Sequence, residues 1–203
     1  MIPGMDQASH AATAWIGTEE RPLINPVTGE RLVFRKRAAD TNGELLEFVI
    51  SMAPGAFIST PHIHPLAEER FEVSGAPVML RAGREERLVQ PGEMAVVPPG
   101  VPHSWWNPSQ EESATLIQLR PALNAETMFE TFFGLAADGK TNKQGLPNPL
   151  HLMVLARAFR RESQPPAPLN WLVAPMSVVL APLGELLGYR ARYDKYSGPC
   201  RNG

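Results

Sequence analysis

The chain reads as an all-β barrel or sandwich followed by an α-helical extension, and three observations predict this. Short apolar runs return at close intervals from residue 46 to residue 119, separated by glycine, proline and asparagine, with no helical stretch between them. After Arg120 the apolar spacing changes from every second residue to every third or fourth. The length, 203 residues, allows one well-buried domain with an appendage and is too short for two full-sized domains.

Residues 1–24 show no clear period and are expected to form an arm over the surface. They begin without a basic segment leading into an apolar run, so no secretory signal is expected. The barrel is assigned to residues 25–122, with strand character from Arg31. Leu46, Phe48, Ile50 and Met52 recur at every second position with Glu47 and Ser51 between them, as a strand with one buried face requires. Asp40, Thr41, Asn42 and Gly43 supply the turn before it. Further strands are expected at 78–80, 87–89, 94–97, 103–106 and 114–119.

The extension is assigned to residues 123–203. Met128, Phe129, Phe132 and Phe133 mark one helix, with a cap at Asn124 and a stop at Gly139. Leu150, Met153, Val154 and Ala158 mark a second. Residues 164–168 contain three prolines and read as a rigid linker, and in the strongly apolar run 169–187 only Glu185 is charged. Pro175 and Pro182, with Asn170 and Glu185, argue against a single spanning helix. Short kinked helices packed on the barrel or on a second subunit are expected instead. A membrane is not an expected partner, although the basic tail from Tyr189 keeps surface association as a minor reading.

Composition narrows the function classes. A net charge of -2 provides no field to hold nucleic acid. Cys200 is the only cysteine, which excludes an intrachain disulfide and a thiolate metal cluster, and a cytoplasmic, reducing location fits best.

Chemistry concentrates between Thr60 and Val73. In a strand, His62 and His64 would project from one face, close enough for two imidazoles to converge on one ion. Alternation then separates the acidic pair. Glu69, Phe71 and Val73 share a face, while Glu68, Arg70 and Glu72 form the opposite, charged one. A carboxylate beside Phe71 and Val73 is costly to bury unpaired, and a divalent cation offsets that cost. His103, after a proline-glycine turn, supplies a third imidazole. Three imidazoles and a carboxylate suit divalent Fe, Mn, Ni, Cu or Zn. Trp105, Phe71, Phe48, Ile50, Phe57 and Leu80 are the apolar candidates for a substrate pocket, with plain core packing as the alternative for each.

With these residues in view, the chain resembles the cupin superfamily. Gly92, Pro98, Gly100, His103 and Asn107 match every fixed position of that family's second motif. Gly55, His62, His64, Glu69 and Gly75 follow the first motif with two departures: six residues separate Gly55 from His62, and five separate Glu69 from Gly75. Taking Glu68 as the ligand would restore the usual spacing to Gly75 but would turn Phe71 and Val73 to the wrong face, so Glu69 is preferred and Glu68 is the alternative.

The resemblance implies a double-stranded β-helix, or jelly-roll, with the metal inside, and a homodimer. It also implies a metal-dependent enzyme acting on a small organic molecule of aromatic, enol or polyketide-like character, with dioxygenase chemistry slightly favoured. Lewis-acid isomerisation, cyclisation or hydration on the same site, and a non-catalytic metal-containing binding module, are the alternatives. No dedicated catalytic residue beyond the four ligands is identifiable in the sequence.

Overall fold

The computed structural model describes residues 21–197, apart from the side chains of residues 57–59. Most of the expected arm, His10, Cys200 and the Phe57 side chain therefore lie outside the described residues. Among the described residues ten strands are formed: β1 (Leu23–Ile24), β2 (Arg31–Lys36), β3 (Leu46–Met52), β4 (Phe57–His62), β5 (Glu68–Gly75), β6 (Val78–Ala82), β7 (Glu85–Val89), β8 (Met94–Val97), β9 (His103–Trp106) and β10 (Ser113–Arg120). They make two antiparallel sheets, one in the order β1-β2-β3-β10-β5-β8 and the other in the order β4-β9-β6-β7. The first strand starts inside the segment read as arm, because Leu23 pairs with Leu32.

The two sheets close over the alternating apolar residues. Phe48 and Ile50 from β3, Phe71 and Val73 from β5, Leu80 from β6, Trp105 from β9 and Ile117 from β10 form one buried cluster. Each such side chain contributes about 1.5–3 kcal/mol through its removal from water. Phe71 meets Trp105 edge to face at 5.5 Å, the arrangement aromatic quadrupoles favour. Asn107 seals the corner after β9. Its amide donates to the carbonyls of Met52 and Glu111, and its Oδ1 accepts from the Ser109 amide, so it satisfies backbone rather than a ligand.

The extension holds α1 (Ala125–Ala137), α2 (Pro149–Ala158), α3 (Leu169–Leu186) and the single turn α4 (Asp194–Ser197). α1 docks on the barrel through the Phe129 ring, 4.8 Å from that of Phe48, and through Arg37, which pairs with Glu126 and with Glu130. α2 starts where the Asn148 side chain accepts the Leu150 amide and Pro149 takes the first helical position.

α3 corrects the expected short kinked helices: it is one helix of 18 residues containing both Pro175 and Pro182. Both prolines are exposed, so water can reach the carbonyls that lose their helical donors. Packing on α2 holds the helix together through small residues. Ser177, Ala181 and Gly184 are its buried positions, and a Cβ on Gly184 would come 2.6 Å from Val154 Cγ2. By length and composition alone, α3 could also cross a membrane.

Candidate metal centre

Three strands and one loop assemble the site. β4 pairs with β9 so that His62 stands opposite His103. Glu69 comes from β5, where Glu69, Phe71 and Val73 are buried and Glu68 instead pairs with Arg70 near the surface. His64 differs from the sequence reading. β4 ends at His62, and Ile63 leaves the ladder to exchange both backbone hydrogen bonds with Gln164. His64 thus lies beyond the strand end, yet its ring projects to the same point as that of His62, 4.9 Å away. The Gly100 amide secures this turn by donating to the His64 carbonyl at 2.9 Å, from a φ of 80° that glycine adopts without strain.

The candidate ligand atoms of His62, His64, Glu69 and His103 all lie within 4.8 Å of one another. His103 Nε2 is 2.7 Å and His64 Nε2 is 3.4 Å from Glu69 Oε2, while the Nε2 atoms of His62 and His64 are 3.2 Å apart. Each ring has its other nitrogen, Nδ1, beside a backbone carbonyl: Thr60 at 3.3 Å for His62, Glu162 at 2.5 Å for His64 and Val101 at 2.9 Å for His103. A carbonyl only accepts, so Nδ1 carries the proton and a neutral ring presents a lone pair at Nε2. Three lone pairs and a carboxylate then face one point, a disposition that needs positive charge between them.

The buried polar atoms agree. Glu69 Oε2 and His103 Nε2 are enclosed and neither has a properly oriented hydrogen bond, despite their close approach. Burial would raise the Glu69 carboxyl, but the facing imidazoles of His64 and His103 outweigh it and hold the group well below the ordinary range. Burial and the neighbouring His103 and His64 bring His62 down to about 3, so it is neutral and able to donate a lone pair at physiological pH. For His64, burial opposes protonation but the Glu69 charge overcomes it and raises the pKa. The carboxylate thus demands either a proton on His64 or a bound cation, and the donor set fits a divalent transition metal.

His62, His64 and Glu69 line a cavity of about 320 Å³, while His103 is not part of its wall. Phe48, Ile50 and Trp105 line it, as the sequence reading allowed. Phe71 and Leu80 do not. They pack within the core instead, since strand alternation turns a residue inward without fixing its depth. The rest of the wall comes from the extension, which the sequence reading left without a role at the site. Met128, Phe129 and Phe132 of α1, with Leu152, Met153 and Phe159 from α2 and its end, roof the metal donors. The signal was present in the four apolar positions at 128, 129, 132 and 133, a stripe wide enough to serve two surfaces. His151 lies away from the cluster, its Nε2 donating to the Arg190 carbonyl.

Residues 48–119 match the family model described as the cupin domain. No curated protein matches the chain in sequence. Among solved structures, KdgF from a Halomonas species is 18% identical, with 55% of this chain and 96% of that one covered at a TM-score of 0.48. An RmlC-like cupin from Shewanella frigidimarina NCIMB 400 is also 18% identical, covering 54% and 91% at 0.47. The TT1209 protein of Thermus thermophilus is 28% identical over 39% of this chain and 74% of its own, at 0.37. The matched segment, with its two antiparallel sheets and both histidine motifs, is a cupin domain within the longer chain.

Proposed function

We propose that the chain is a metal-dependent enzyme acting on a small, uncharged and largely apolar organic molecule, with oxygen-dependent chemistry preferred. One observation carries this reading: three of the four donors, His62, His64 and Glu69, line a cavity whose other walls hold no charged side chain among the described residues. A phosphate or carboxylate substrate would normally meet an Arg or Lys, and neither lines this cavity. An enol or catechol-like molecule fits better, its oxygens at the donors and its apolar body between Trp105, Phe129 and Phe132.

When bound, a divalent metal with four protein ligands keeps one or two open positions and supplies Lewis acidity or, if redox-active, electron exchange with dioxygen. The chain's own residues orient the substrate and exclude water. Thr60, Ser163 and Gln164 are the polar lining residues besides the ligands, and none is a base at neutral pH. Isomerisation calls for such a group, which favours the oxygen-dependent reading over it, whereas hydration could use a metal-bound hydroxide and stays the alternative.

The test is metal analysis of protein purified without chelator, followed by oxygen uptake with flavonols, diketones and catechols. About one equivalent of a transition metal and uptake with at least one of these classes are expected. Less than about 0.2 equivalents after reconstitution would overturn the metal centre. A filled zinc-only site with no uptake would overturn oxygen chemistry in favour of Lewis-acid catalysis or non-catalytic binding.

A further inference from the structure

We infer that the outer face of α3 is a helix-to-helix interface with a second copy of this chain. The helix buries its small residues and exposes its large ones. Ser177, Ala181 and Gly184 are its buried positions, whereas Leu169, Leu172, Met176, Val179, Leu183 and Leu186 form one exposed line, Val179 at 73% and Leu186 at 85%, with Trp171, Val178 and Leu187 exposed beside it. Those six are spaced alternately by three and four residues, the 3.5-residue period of a seam that packs knobs into holes against another helix. A helix that merely covers its own domain turns such a stripe inward. Here the stripe points away from α2.

A second copy fits this face better than other occupants. The six seam residues expose roughly 700 Å² per copy, so a symmetric pair would bury at most roughly twice that, which reaches the lower part of the range of about 1,200–2,000 Å² for stable specific interfaces. An uncharged, repeating stripe is self-complementary under two-fold symmetry and carries no charge pattern to select an unlike partner. A lipid surface matches less well. A membrane-lying helix draws on Lys and Arg along its polar face, and α3 has neither; its single charge is Glu185.

The test is the mass of the full chain in solution by sedimentation equilibrium, with and without phosphatidylglycerol vesicles. The chain is expected as a dimer. Combining Val179→Glu with Leu183→Glu should weaken association by about 100-fold or more while keeping the thermal midpoint of the dissociated chain. Val178→Glu, on a different side of α3, should leave the dimer intact. Where the glutamates disturb folding, Val179→Ala with Leu183→Ala should give the same ordering. A wild-type monomer at micromolar concentrations, a dimer that survives the seam variants, or equal weakening by Val178→Glu would overturn the inference. So would a monomer that sediments with the vesicles through the same seam residues.

Discussion

The barrel brings four donor side chains to one point from β4, β5, β9 and the loop after β4, whereas the helical extension brings none. What the extension supplies is the Glu162 carbonyl that orients His64 and the apolar roof formed by α1 and α2. The donors thus come from the barrel alone, whereas the cavity wall is shared between Phe48, Ile50 and Trp105 of the barrel and the helices of the extension. The difference also separates their energetics. Barrel donors act through charge and lone pairs, where one lost group leaves its neighbours unsatisfied; roof residues act through area, where losses are partial.

The largest break in this comparison lies on the barrel side. Glu69→Gln keeps the shape of the side chain but removes the negative charge facing three imidazoles. We expect metal affinity to fall by more than about 100-fold, beyond the loss usual for a supporting residue. Metal titration checks this, with the thermal midpoint of the metal-free protein as the control for folding. Retention of wild-type affinity would mean that Glu68 or another oxygen serves instead.

What could be read in advance follows the same division. His103 was legible because a proline-glycine turn fixes the local path of the chain, and Glu69 because strand alternation separates it from Glu68. The support of His64 was not. Its partner is a backbone carbonyl 98 residues away, which leaves no side-chain signature. The single helix α3 was missed because proline reads as a break from intrahelical bonding alone, and exposure of both prolines to water is a tertiary property. Phe71 and Leu80 show the limit of alternation: it marks the inward face of a barrel without separating its packed floor from its open mouth.

Glu162 sharpens the comparison at intermediate magnitude, because it joins the two parts. Its carbonyl accepts from His64, while its side chain, 3% exposed as a residue, accepts from the Asn124 amide and the Asn124 side chain at the start of α1. Glu162→Ala keeps the carbonyl but frees its anchor. Stability should fall by about 0.5–1.5 kcal/mol, because the part-buried hydrogen bonds to Asn124 are lost. Metal affinity should drop by about 10-fold, the lower end of the effect of orienting groups. Calorimetric unfolding of the metal-free variant and metal titration measure the two independently. A stability loss with unchanged affinity would assign Glu162 to packing alone.

The smallest expected effect belongs wholly to the extension. His151 is enclosed between α2 and the tail, stacked 4.8 Å from Tyr189, with its Nε2 2.9 Å from the Arg190 carbonyl. Burial lowers its pKa; the Arg190 carbonyl works against this, and the Lys140 charge adds to it. The unfolded chain therefore binds a proton that the folded chain resists. His151 contributes its full stability above its ordinary value of about 6.5 and loses that contribution as pH falls toward the lowered one. His151→Gln should flatten this dependence. Thermal midpoints between about pH 7.5 and about pH 5.5 should fall more for the protein with His151 than for the variant. Both are to be measured in the Glu69→Gln background, so that metal release adds nothing to the slope. Parallel curves would show that tail docking does not depend on a neutral imidazole, leaving the pH response of the molecule to the barrel and its donors.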